Sequence, residues 1–127
     1  MEDMTISSDF NWVKARSKCS VASVFALLAE VVDSDVKAAN ELPGNARFRF
    51  NKYDRKLIVL PVTEFPVPIV FELAGAVINI SKEETALFTA RPSLMTDGKC
   101  RLEVDGETLE LWQVSRKALE ALFFGEA

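Results

Sequence analysis

Cys19 stands in the run Arg16-Ser17-Lys18-Cys19-Ser20, and covalent chemistry has its best opening there. A thiol attacks only as thiolate, and two flanking cations together with the positive end of a helix dipole favour that form. The amides at such a helix start, with Ser17 and Ser20, would equally suit a small anion. Against both stands the ordinary fate of a single cysteine, burial as a small apolar side chain, which outweighs them. The second cysteine, Cys100, falls on the apolar face of a hairpin and is expected in the core. Two cysteines are too few for a disulfide framework, and their pairing depends on a Cα separation that spacing along the chain does not give. The default expectation is two free thiols in a reducing compartment.

Other chemistry is narrowed by what the chain lacks. It has no histidine, which removes the Ser-His-Asp and Cys-His arrangements and the commonest general base. Its five glycines are far apart, so no phosphate-cradling loop or dinucleotide fingerprint is formed. No carboxylate spacing resembles a calcium loop, and two cysteines alone do not make a zinc site. No cofactor and no metal are expected. Asp33 with Asp35, or Glu83 with Glu84, would serve as an acid and base only if burial separated their titration. Their placement on a polar helix side and in a turn points instead to solvated charges.

A basic strip runs through residues 47–56, where Arg47, Arg49, Lys52, Arg55 and Lys56 face a single acidic residue, Asp54. Interleaved with Phe48, Phe50 and Tyr53, these cations have the composition of a surface that stacks bases and holds phosphates. Alternation nevertheless sends the phenylalanines to one side and the arginines to the other, the pattern of a strand with an apolar inner and a solvated outer face. The net charge of −4 also repels nucleic acid on average. A solvated strand is the heavier expectation.

The elements that must position these groups follow from periodicity. From Ser20, a suitable cap, the positions Val21, Val24, Phe25, Leu28, Val31, Val32, Val36 and Ala39 recur at helical spacing until Pro43 and Gly44. They predict one helix of about 22 residues, about 33 Å long. Phe10 to Val13 fit either a short extended piece or an extra helical turn. Beyond Gly44 the period becomes twofold, with strands expected over 46–51, 56–62, 68–73, 76–81, 86–91, 99–104 and 107–111. The two-proline stretch 63–68 reads as an edge or stiff connection. Asp105-Gly106 is a two-residue hairpin turn that sets Arg101 against Glu110, Leu102 against Leu109 and Cys100 against Leu111. Ser115 is expected to open a short last helix closed by Gly125.

The chain is thus expected to be one α+β domain over residues 1–127, a two-layer arrangement with the long N-terminal helix on a curved, mainly antiparallel sheet and a short C-terminal helix. The acidic first ten residues lack a signal peptide's basic start and apolar middle, which with the thiols places the chain in the cytoplasm. No apolar run is long enough to span a membrane. Trp112, Phe123 and Phe124 crowd the short last helix, whose single buried side does not hold them all, so they form a candidate interface. The expected function is non-enzymatic: a small binding or protein-interaction module, homo-oligomeric, with a small apolar ligand or a protein as possible partner. Two alternatives are a cofactor-independent enzyme with an apolar cone-shaped pocket and an acidic secretion-type chaperone.

Overall fold

The computed structural model describes residues 10–44 and 46–125. Its elements are α1 (Trp12–Lys18), α2 (Val21–Asn40), β1 (Phe48–Lys52), β2 (Lys56–Pro61), β3 (Ile69–Ala74), β4 (Val77–Lys82), β5 (Thr85–Leu94), β6 (Cys100–Val104), β7 (Glu107–Leu109) and α3 (Leu111–Phe124). The seven strands form one sheet in sequence order, and every neighbouring pair is antiparallel. An antiparallel meander needs only short connections, consistent with the turn residues that separate the strands. Fold class and architecture are those expected.

Strand alternation decides which side of the sheet meets the helices. Leu57 and Val59 of β2, Ile69 and Phe71 of β3, and Ile78 and Ile80 of β4 are all buried, and the register sets Leu57 against Phe71, Val59 against Ile69 and Phe71 against Ile80. On the helix side Val24, Phe25, Leu28, Ala29, Val32, Val36 and Ala39 complete the same cluster, nearly the stripe that the helical spacing predicts. α2 spans 20 residues; the Ser20 hydroxyl oxygen caps it by accepting the Ser23 N–H at 3.1 Å. It is joined to the sheet at its far end by Asn40. The Asn40 side-chain amide donates to the Phe48 carbonyl at 2.9 Å and accepts the Phe48 N–H at 2.8 Å, so it satisfies one residue of the edge strand β1 as a neighbouring strand would.

β5 serves two neighbours in turn. Its first part pairs with β4, with a register shift between Ile80 and Ser81, and its second part, Arg91–Leu94, pairs with β6. A bulge of this kind bends a strand and increases local twist. Pro92 falls in the second part, where β5 has a partner on one side only, so its missing N–H is tolerated. The β6–β7 hairpin turns as expected: Asp105 and Gly106 both have positive φ, 52° and 82°, Leu102 faces Leu109, and Arg101 lies 3.8 Å from Glu110.

Three expectations are corrected or completed. The segment before α2 is the short helix α1, whose first turn is capped by Asn11, with Lys14 N–H donating to its side chain at 3.0 Å. The last helix opens at Leu111 rather than Ser115, so Leu111 is helical and does not face Cys100. The cause is local: Gln113 Oε1 accepts the Glu110 N–H at 2.8 Å, an i to i+3 reach-back that starts a helix while Leu109 and Leu111 still alternate like strand residues. Third, Cys100 is exposed at the start of β6 rather than buried, and it is bonded to Cys19 in a disulfide with Cα atoms 5.5 Å apart. The two free thiols expected from the sequence are therefore absent. With them goes the argument for a reducing, cytoplasmic setting, since disulfides persist where thiols stay oxidised. No helix among the described residues is long and apolar enough to cross a membrane.

Candidate functional site

α2 and α3 lie side by side, and the Ser115 hydroxyl, 1% exposed, fixes their contact by donating to Asp35 Oδ2 at 2.7 Å. A hydroxyl removed from water costs free energy unless it is bonded, so Ser115 needs Asp35 where it is. The carboxylate expected to be a solvated charge is in this way drawn into the helix contact. Asp33, one half-turn away, keeps the expected surface role and pairs with Lys37 at 3.1 Å.

Beyond this bond the two helices leave a groove of about 390 Å³. Its floor is apolar and belongs to the core: Ala39 and Leu119 are buried, and Phe123 packs on Phe48 with ring centroids 4.9 Å apart. Its rim is apolar but wet, with Leu42 43%, Trp112 54% and Phe124 61% exposed. Arg116 and Glu120 complete the α3 side of the rim, 3.2 Å apart. Large apolar groups gathered round a concavity mark interaction surfaces, because water gains on leaving them. The structure thus brings two of the three candidate interface residues, Trp112 and Phe124, to one rim, and makes the third, Phe123, part of its floor. The sequence count of aromatics found the α3 side. It missed Leu42, Asp35 and Ser115, which become neighbours only through helix packing.

Of the other candidates, Arg16, Cys19 and Ser20 border one shallow concavity with Gly75 and Arg91, but the side chains of Ser20 and Cys19 are already engaged. Arg16, Ser17 and Lys18 belong to α1, and the Ser17 hydroxyl donates to the Lys14 carbonyl at 2.7 Å. Ser20 spends its side chain on α2, donating to the Ser23 hydroxyl at 3.0 Å while it accepts the Ser23 N–H. Cys19 is buried and disulfide-bonded, so the reactive-thiol expectation is corrected: its sulfur carries a covalent bond instead of a charge. In the basic strip, Arg47 just before β1 and Arg49 on it are exposed while Phe48 is buried and Phe50 half-buried, the alternation of a solvated strand. Lys52, Arg55 and Lys56 surround the following turn, where the Arg55 guanidinium donates to the Leu73 carbonyl at 3.1 Å and so braces β3.

Among the described residues one carboxylate is held clearly off its ordinary value. Asp97 accepts the Lys99 N–H at 3.0 Å and pairs with Arg101 at 3.0 Å, and these partners keep its carboxyl below the usual range. It lies in the exposed β5–β6 turn, away from the groove. Among the described residues no group of three or more His, Cys, Asp or Glu side chains is placed to hold a metal ion. No protein-family model, curated protein or solved structure matches the chain.

Proposed function

We propose that the chain is a small non-enzymatic interaction module that associates with itself through the groove between α2 and α3. The observation that carries this is the pair of exposed aromatic side chains, Trp112 and Phe124, on the rim of a concavity whose floor is already core. Aromatic groups are favoured at the buried centres of interfaces, where one ring removes much apolar surface from water at little conformational cost. The chemistry nearby supports binding over catalysis. The chain has no histidine, Asp35 is engaged with Ser115, and Asp33 is engaged with Lys37.

Sedimentation equilibrium on the native chain and on Trp112→Gln with Phe124→Ser tests this. The native chain should associate in the micromolar range and the double variant should not. Both substitutions act on exposed side chains, so the variant should keep its fold, as circular dichroism would record. A native chain that stays monomeric at high micromolar concentration overturns self-association. The groove also has the form of a site for a small apolar ligand, with Asp35 as its polar anchor. A monomer that retains a bound small molecule in native mass spectrometry would favour that second function.

A further inference from the structure

The rim of α3 carries a four-residue ridge that is complementary to its own reverse. Trp112, Arg116, Glu120 and Phe124 follow one another at intervals of four, which on a helix makes a continuous ridge along one side. All four line the groove. Reversing the ridge about position 118 exchanges Trp112 with Phe124 and Arg116 with Glu120, so aromatic is replaced by aromatic and charge by opposite charge. That is the condition for an isologous contact, in which one patch is its own complement about a twofold axis.

We infer that a second copy of this chain docks antiparallel on α3, with Trp112 against the partner's Phe124 and Arg116 against the partner's Glu120. The inference rests on the groove being a self-association surface and adds the geometry. A parallel pairing would set Arg116 on Arg116 and Glu120 on Glu120, and like charges in register repel. The antiparallel pairing instead gives two crossed ion pairs between two aromatic contacts. Arg116 and Glu120 already attract one another within the helix at 3.2 Å, with side chains 63% and 42% exposed, so each is free to engage a second opposite charge. Twofold closure limits the assembly to a dimer and leaves no open end for growth.

Charge reversal separates this geometry from every other use of the groove. Arg116→Glu makes the ridge doubly acidic and Glu120→Arg makes it doubly basic. In the antiparallel dimer each variant alone meets only like charge. Each should self-associate roughly tenfold or more weakly than the native chain, since two attractive pairs become repulsive. An equimolar mixture should form a heterodimer close to native strength, because each acidic ridge then faces a basic one. The exchanged variant carrying both substitutions should recover the homodimer. Thermal melts of each variant record any change in folding itself.

Single variants that self-associate like the native chain overturn the antiparallel geometry while leaving the groove as the contact surface. Single variants that weaken but do not recover on mixing overturn it too, since the charges would then act only inside their own helix. A native chain that is monomeric at high micromolar concentration overturns both the geometry and the self-association on which it rests.

Discussion

The two ends of α2 are anchored by opposite means. At its start the buried Cys19 is bonded covalently to Cys100 on β6, and the helix before it, α1, contributes no buried residue. At its far end there is no covalent tie. Asn40 clamps Phe48, Asp35 holds Ser115, and apolar packing against α3 does the rest, with Phe123 of α3 also packed on Phe48 of β1. At the first end the covalent link acts beside Val24 and Phe25, which join the core near the start of α2. Packing works only through apolar area, and the helix that supplies it leaves Trp112 and Phe124 in water. Trp12 and Val13 stand in water at the first end too, but at the end held without a bond the exposed rings border the groove.

Arg101 connects the two regimes. It follows Cys100 in β6, pairs with Asp97 at 3.0 Å in the turn before it, and reaches to 3.8 Å from Glu110, the residue that opens α3. The covalent end of the molecule is thereby linked through one guanidinium to the start of α3.

The sharpest way to break the comparison is to remove the covalent anchor. The Cys19–Cys100 link closes a loop across a sequence separation of 81, and on chain entropy alone such a cross-link is worth about 4.5 kcal/mol, because the unfolded chain loses freedom that the folded one never had. Urea unfolding of Cys19→Ser with Cys100→Ser should show a midpoint lowered accordingly, and the native chain with reductant should match it. Thiol titration of the unreduced, unfolded protein should find no free thiol. A midpoint that ignores reductant would show that α2 is held at its start by packing after all.

The Asn40 clamp is the next largest effect. Asn40→Ala leaves the N–H and carbonyl of Phe48 without their partners at a half-buried edge, which costs roughly 2 kcal/mol. Because the amide also blocks the outer edge of β1, the variant should expose that edge at Phe48. Hydrogen exchange of the Phe48 amide should accelerate well beyond that of Val59, one strand further in on β2. Equal exchange in variant and native protein would remove Asn40 from the list of anchors.

The smallest effect concerns the turn beside the disulfide. The Asp97 carboxyl is held below its ordinary value of 3.8, so its contribution to stability is fully present above that value and is lost as pH falls through the lower, folded one. Asp97→Asn should therefore lower the melting temperature slightly at about pH 6 and lose that difference toward about pH 2. A difference that instead grows on acidification would have the wrong sign for a carboxylate stabilised by Lys99 and Arg101.

Local order was legible in the residues themselves. The helical spacing from Val24 to Ala39 specifies the buried stripe of α2, Ser20 marks its cap, and twofold alternation marks all seven strands. At Asp105-Gly106 the turn chemistry fixes a register that carries Arg101 to Glu110. These features are decided by neighbours within a few positions, where backbone sterics and side-chain spacing act directly. The start of α3 lies at the margin of that range. Leu109 and Leu111 continue a strand pattern, and the helix begins there only because Gln113 reaches back to Glu110.

Tertiary structure alone decided the rest. Whether Cys19 and Cys100 are thiols or a bond depends on the path of the whole sheet between them, since a bridge needs two Cα atoms within a few ångströms and no local pattern encodes that distance. The role of Asp35 depends likewise on where Ser115 arrives, 80 positions later. Composition showed that α3 carries more aromatic surface than one face can bury. Only the packing of α3 against the end of α2 settled which rings enter the core and which stand on the rim, because burial belongs to the space between elements and not to either element alone.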